Sequence, residues 1–326
     1  MQRQRKILQR RRKILQRQRV SLATQVVSGG SLKSKMSTMS NSFIQDAKTL
    51  PILGVGLGLR RELADETLAN QNKIDWLEIV PENYMNLGGA IRERLDAARE
   101  KFPLVTHGVS LSIGSTDELS CEYVGGMKRF LDLIDAPWWS DHLCFSSVNG
   151  SYMHDLLPLP HSKEAVEHLT KRIKQAQSIV GRPFLLENIS YYMNVPETAM
   201  SEWQFLSEVV ERADCGILLD VNNIYVNSVN HGFDPYLFID NIPLERVIQI
   251  HVAGHQMRDD VIIDTHGSAV IEPVFALLEY VLKRSSVKAV MLERDQNYPD
   301  FEELLSELAR IRAIAESAQP ALNMVA

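Results

Sequence analysis

The stretch Val247-Ile-Gln-Ile-His251-Val-Ala-Gly-His255, continued by Asp264-Thr-His266, decides how this chain is read. An apolar run of strand type stops at a histidine, and three more potential metal ligands, His255, Asp264 and His266, follow within fifteen residues. Imidazole and carboxylate groups gathered where a strand gives way to a loop offer a divalent cation its lone pairs, a fixed backbone and room for a substrate. One such ending arises by chance; the same ending on strand after strand does not.

Outward from that stretch, short apolar runs alternate with longer amphipathic segments from Leu50 onward. The pattern predicts strands at Ile52–Gly58, Asp75–Val80, Leu104–Val109, Trp138–Leu143, Pro183–Glu187, Gly216–Val221, Arg246–Val252 and Lys288–Glu293. Helices are predicted at about 61–71, 90–101, 118–134, 161–180, 202–212, 234–240, 269–284 and 301–316. β-then-α units in this number, over about 270 residues, match a (β/α)8 TIM barrel. A doubly wound open sheet is the alternative, but Gly54-Val-Gly56-Leu-Gly58 is not the GxGxxG turn such a sheet would carry; these glycines read as room for a crowded first strand.

The composition is that of a globular enzyme-sized chain: 326 residues, 45% hydrophobic and 23% charged. No apolar run reaches the roughly 18 residues of a membrane span, and the N-terminus lacks the apolar core of a secretory signal. Cys121, Cys144 and Cys215 are widely spaced, which argues against a disulfide framework and fits a reducing cytoplasm. The net charge of -6 hides an asymmetry. Residues 1–40 hold eleven Lys and Arg and no acid, which leaves a formal -17 on residues 41–326. A body this acidic is a poor partner for nucleic acid.

Within the basic segment, Arg5-Lys-Ile-Leu-Gln-Arg10 recurs as Arg12-Lys-Ile-Leu-Gln-Arg17. A basic amphipathic helix, a transit peptide and a tail ahead of a later start at Met36 or Met39 all fit; residues 1–49 are read as a disordered basic tail and linker, and residues 50–326 as the barrel.

In a TIM barrel the chemistry lies at the C-terminal ends of the strands. The predicted strands bring there Glu78, His107, Asp141 with His142, Glu187 with Asn188, Asp220 with Asn223, His251 with His255, Asp264 and His266 in its loop, and Glu293 with Asp295. A lone strand-end acid is often a helix cap, and a lone histidine is more often a satisfied core residue than a ligand. As a set these carboxylates would repel one another on one rim, a conflict that cations resolve. The ligands exceed what one ion can bind, so two or three metals are expected. His154 lies on the loop after the fourth strand, beside the pocket mouth, and could touch substrate; His161 and His168 read as solvated and His231 as structural.

At these residues the sequence resembles the DUF692 (UPF0276) family, the multinuclear non-heme iron-dependent oxidative enzymes. The stretches that carry the resemblance include Val80-Pro-Glu-Asn-Tyr84, Thr106-His-Gly-Val-Ser-Leu-Ser112, Ser140-Asp-His-Leu143, His154-Asp-Leu-Leu-Pro-Leu-Pro160, Leu219-Asp-Val-Asn-Asn-Ile-Tyr225, Ile250-His-Val-Ala-Gly-His255 and Leu292-Glu-Arg-Asp295. The resemblance implies a TIM barrel of the xylose isomerase/endonuclease IV-like kind that holds two or three irons. It implies iron ligands at His107, His142, Glu187, Asp220, His251, Asp264, His266 and Glu293, with Asn223 and His255 as further candidates. Glu78, Asp141, His154, Asn188 and Asp295 are left for substrate contact or support of the ligands. It further implies O2-dependent modification of a cysteine, or another residue, in a ribosomally made precursor peptide, with a small partner protein presenting that peptide. Where many members have a histidine soon after the first strand, this chain has Leu59-Arg-Arg-Glu62.

The spacing is also similar to that of the endonuclease IV-like trizinc phosphodiesterases, in which a seventh-strand histidine is followed at +13 and +15 by Asp and His. The alternative reading is therefore a zinc hydrolase, and imidazole with carboxylate suits iron, manganese or zinc alike. A sugar isomerase would need a lysine near the metals, and no predicted strand ends on one.

Overall fold

The computed structural model describes residues 42–193 and 198–323; the readings of the basic repeat and of the linker up to residue 41 lie outside them. In chain order the described strands are β1 (Gly54–Gly58), β2 (Leu77–Ile79), β3 (Leu104–His107), β4 (Trp139–His142), β5 (Phe145–Val148), β6 (Ser151–Leu157), β7 (Phe184–Glu187), β8 (Gly216–Asp220), β9 (Val247–Ala253), β10 (His255–Arg258), β11 (Val261–Asp264) and β12 (Ala289–Glu293). The order β1-β12-β9-β8-β7-β4-β3-β2 closes into a parallel barrel, each of its strands lying in one of the predicted runs apart from a residue at an end. It is a TIM barrel.

Helices run between the strands: α1 (Ser42–Thr49), α2 (Ala64–Ala69), α3 (Ala90–Arg99), α4 (Cys121–Ile134), α5 (Lys163–Val180), α6 (Glu202–Ala213), α7 (Val221–His231), α8 (Pro235–Asp240), α9 (Glu272–Leu282) and α10 (Phe301–Ala318). Serine side chains cap the starts of α4, α5 and α6, and residues in the left-handed region end them, Asp135, Gly181 and Asp214. The apolar faces of these helices form one cluster with the outward-facing strand residues, including Leu104, Ile217, Val290, Leu169 and Leu278.

The barrel interior follows from the two-residue period of a strand, which sends alternate side chains inward. At the floor a second apolar cluster collects Trp76, Val105, Trp138, Leu185, Leu218, Ile248, Ala289 and Met291. Two residues after most of these, one step nearer the rim, stand Glu78, His107, Ser140, Glu187, Asp220 and Glu293. Apolar floor and polar rim are thus consecutive inward positions of the same strands. On β9 the pairing with β8 jumps from Val247 to Gln249, so Ile248 is a bulge; it joins the floor while Gln249 and His251 rise above it. Gly56 leaves room for Trp76, since a Cβ there would lie 2.5 Å from the indole ring, as expected for a crowded first strand.

Four expectations are corrected. Residues 42–49 are not linker: they form α1, whose Phe43 and Ala47 are buried in the floor cluster, with Phe43 filling the space above Gly216. The Ser- and Thr-rich flank hid two apolar anchors one helical turn apart. The simple β-then-α alternation misses two antiparallel hairpins on the rim, β5–β6 and β10–β11, so His154 lies in a strand, not a loop, and is exposed. It also misses α7, which starts directly at Asp220 and whose run of asparagines gives little helical signal. His161, read as solvated, is buried and stacked on Phe205 at 4.8 Å, and burial pushes its pKa down to about 4.

Candidate metal centre

The ends of β3, β4, β7 and β9 direct four side chains at one point. Oε2 of Glu187 lies 2.9 Å from Nε2 of His107 and 3.0 Å from Nε2 of His142, and those two nitrogens are 3.1 Å apart. His251 Nδ1 lies 3.1 Å from Glu187 Oε1 and 3.3 Å from Glu293 Oε2. Separations of this size are those between ligands about 2.1 Å from a common ion. All five residues are buried.

Three overlapping groups bring ligand atoms within 4.8 Å of one another: His107, Glu187 and His251; Glu78, His251 and Glu293; and Asp220, His266 and Glu293. His251 belongs to two of them and Glu293 to two, so the groups are contiguous and could hold more than one ion. Buried atoms of this set without a hydrogen-bond partner are Glu187 Oε2, Asp220 Oδ2, Asn223 Oδ1, His251 Nδ1 and His266 Nε2. Orphaned acceptors and imidazole nitrogens converging in a buried space fit a cation, because each would otherwise bear a desolvation cost with nothing to offset it.

The electrostatics agree. Burial alone would push the His107 imidazole down, yet the Glu187 carboxylate lifts its pKa to about 9. His251 and His266 rise as well against their burial, beside Glu78 and Glu293 respectively. Glu187 is pushed up by burial and pulled well below the usual carboxylate range by His107, His142 and His251. Asp220 rises well above its ordinary value, first from burial and then from the charges of Glu187 and Asp264. Here protons take the role that cations fill in a metal site.

Each of three histidines has its far nitrogen held. Ser140 Oγ donates to the Thr106 carbonyl, so it accepts from Nδ1 of His107 at 2.9 Å and turns Nε2 toward the centre. Glu78 Oε2 takes the Nε2 proton of His251 at 2.9 Å, leaving Nδ1 to the centre. Asp295 Oδ2 takes the Nδ1 proton of His266 at 2.9 Å. Such partners fix the tautomer and aim the lone pair.

Asp220 combines two roles that sequence alone sets against each other. Its Oδ1 caps α7 by accepting from the Asn223 amide at 2.7 Å, while Oδ2 stays free toward the centre. Asn188 clasps the Asp220 backbone through both its amide atoms and its own carbonyl accepts from Asn223 Nδ2. Asp264 Oδ1 lies 2.9 Å from His266 Nε2 and accepts from Asn222 Nδ2. Asp141 accepts from the amides of His142 and Leu111, a loop-holding role beneath the ligands. His255 stands apart from the three groups, hydrogen-bonded to Asn222 and stacked on Tyr225, and His154 is on the exposed hairpin against Tyr152.

Sequence reading gave no role to Gln249 or Arg60, and placed Asn222 at the end of the sixth strand without seeing that it holds Asp264 and His255. Gln249 carried a signal: it is polar in an apolar strand and two residues before His251, hence on the same face. It donates to Glu78 and accepts from Trp138 Nε1 at 2.9 Å.

The fold and this rim define a barrel enzyme whose active-site end could hold a cluster of metal ions. Residues 54–316 match the family profile of the RiPP precursor modification enzyme MbnB/TglH/ChrH. The chain belongs to this family, the UPF0276 (DUF692) proteins, which makes it an enzyme of peptide-precursor modification. It is 43% identical over 277 residues to a UPF0276 protein of Anaeromyxobacter sp. (strain Fw109-5), covering 85% of this chain and 98% of that one. A UPF0276 protein of Shewanella loihica is 45% identical over 266 residues, 81% of this chain and 95% of its own. Among solved structures it resembles endonuclease IV from Thermus thermophilus (TM-score 0.51, 19% identity, 81% of this chain and 100% of that one). It also resembles D-psicose 3-epimerase from Clostridium cellulolyticum (TM-score 0.54, 10% identity, 82% and 99%). At such identities the likeness is one of fold. Among the described residues no helix is long and apolar enough to cross a membrane.

Proposed function

We propose that this chain is a cytoplasmic iron-dependent oxidase that uses O2 to modify a cysteine, or another residue, in a ribosomally made precursor peptide, which a small partner protein presents. What supports this reading is the convergence of His107, His142 and His251 on Glu187, on the catalytic rim of a barrel from a family of precursor-modifying enzymes. On this reading His107, His142, Glu187 and His251 hold an inner ion. Asp220, Asp264, His266 and Glu293 would hold an outer one, with Asn223 as an accessory ligand, while His255, which stands apart, would support Asn222.

Two or three irons held there would contribute reducing capacity toward O2 and a Lewis-acidic contact for a thiolate. The chain's own residues do the rest. Ser140, Glu78 and Asp295 keep the imidazole protons on the outward nitrogens, so that the inward ones stay available. Asn222 steadies Asp264. Burial of the strand-end ligands keeps bulk water from competing at the inner position. Tyr152 and Met153 on the exposed hairpin, with Tyr192 and Met257, give a peptide apolar surface near the rim loops.

The test is to purify the full chain anaerobically, load it with iron(II) or with zinc, and add a Cys-containing precursor peptide with its partner protein. The expected result is O2 uptake and a changed peptide mass with iron only. No O2 uptake with iron, peptide and partner present overturns the reading, and phosphodiester hydrolysis by the zinc form would establish the hydrolase in its place.

A further inference from the structure

The three held imidazoles are not held equally. Ser140 and Glu78, which orient His107 and His251, are buried to 1% exposure or less. Asp295, which orients His266, has a side chain 39% exposed. Water competes for a carboxylate in that position, and its side chain is free to swing outward unless something else fixes it. A second clamp is present. Arg60 donates to Oδ1 of Asp295 from both Nε at 2.7 Å and Nη2 at 2.6 Å, which leaves Oδ2 to His266. The same Nη2 lies 3.7 Å from Glu293, and the Arg60 side chain is only 15% exposed. His266 itself sits at φ 48°, in the left-handed region, and its carbonyl accepts from the Asp295 amide at 3.0 Å. A backbone strained in this way persists only where its surroundings hold it.

We propose that Arg60 is a positioning residue for the outer metal position: through Asp295 it fixes the tautomer and direction of His266, and so sets how tightly that position, and not the inner one, keeps its ion. The inference rests on the metal-centre reading above. It needs no charge change at any ligand, only the geometry of a fork on one carboxylate oxygen. The inner position is less exposed to such a change, because His107 and His251 are oriented by Ser140 and Glu78, which hydrogen-bond to them and not to Arg60.

The experiment compares the full-length wild type with Arg60→Met, Arg60→Lys and Asp295→Asn. Each is loaded with iron(II) under argon and titrated with a chelator, and irons per chain are counted by plasma mass spectrometry. The unfolding temperature of the unloaded chains is measured in parallel. The expected result is loss of one iron at about 10- to 100-fold lower chelator in Arg60→Met and Asp295→Asn, with the inner iron retained and the unloaded unfolding temperature unchanged. Arg60→Lys, with the charge but not the fork, should fall between. Equal retention in all four proteins overturns the proposal. So does joint loss of both irons with a lowered unloaded unfolding temperature, which marks a merely structural role, and so does unchanged retention with a raised KM, which marks a substrate-binding one. A wild type that keeps no iron at all would instead remove the metal-centre reading itself.

Discussion

Glu187 Oε2 stands 2.9 Å from His107 Nε2, both buried, yet the carboxylate oxygen has no aligned hydrogen-bond partner. His142 Nε2 lies 3.0 Å from the same oxygen, so three ligand atoms crowd one point. Glu187→Gln keeps the volume and removes the charge that offsets a cation there. We expect retained fold by circular dichroism and at least a tenfold loss of iron affinity, read by chelator competition. Unchanged affinity would show that the inner ligands do not act through Glu187.

Metal removal should be visible as lost stability. An ion present at 100 times its dissociation constant stabilises the folded chain by about 2.7 kcal/mol. For a barrel of this size that corresponds to about 5–10 °C in Tm. Calorimetry with and without chelator checks this, and identical curves would contradict a bound cluster.

Phe43 belongs to a helix that sequence reading assigned to a linker. It fills the barrel floor at 3% exposure. Phe43→Ala should destabilise by about 3–5 kcal/mol, measured as a lower urea midpoint. Removal of α1 by truncation to residue 49 should lower it by at least as much as Phe43→Ala.

Glu202 gives a pH-dependent contribution away from the metal centre. Burial raises its pKa to about 8, against hydrogen bonds from Tyr191 and Asn227 that lower it. Folded, the carboxyl keeps its proton up to that pH; unfolded, it releases it near 4.5. The folded chain therefore binds more protons between these values, and stability falls as pH rises from 4.5 to 8. Glu202→Gln should abolish this slope and exceed wild type at pH 8.5 by on the order of a few kcal/mol. Parallel urea midpoints for the two proteins across pH 5–8.5 would refute it.

The eight barrel strands and the polar groups along their rim were legible because both follow from period: apolar runs mark the strands, and the last inward residue of most of them is polar. His142, Glu187, Asp220, His251 and Glu293 needed no more than that. What stayed hidden depends on contacts between distant residues. Nothing near Arg60 in sequence announces that its guanidinium meets Asp295, 235 residues on. The β5–β6 and β10–β11 hairpins were invisible for a different reason. They bury little, β6 having five exposed residues in succession, and so lack the alternation by which a half-buried strand is recognised. Helix α1 failed because Phe43 and Ala47 are too few to stand out from a small-residue flank.

The amide of Gln249 has a handedness that the barrel floor dictates. Because Trp138 donates to its oxygen, its nitrogen must face Glu78, and Glu78 in turn takes the proton of His251. With Trp138→Phe the amide loses the contact that tells its two ends apart, and a flip would set oxygen against carboxylate. A swap of one aromatic for another in the apolar base, harmless by volume, therefore reaches an imidazole three hydrogen bonds away. Whoever remodels this base for hardiness is also editing the reactive end.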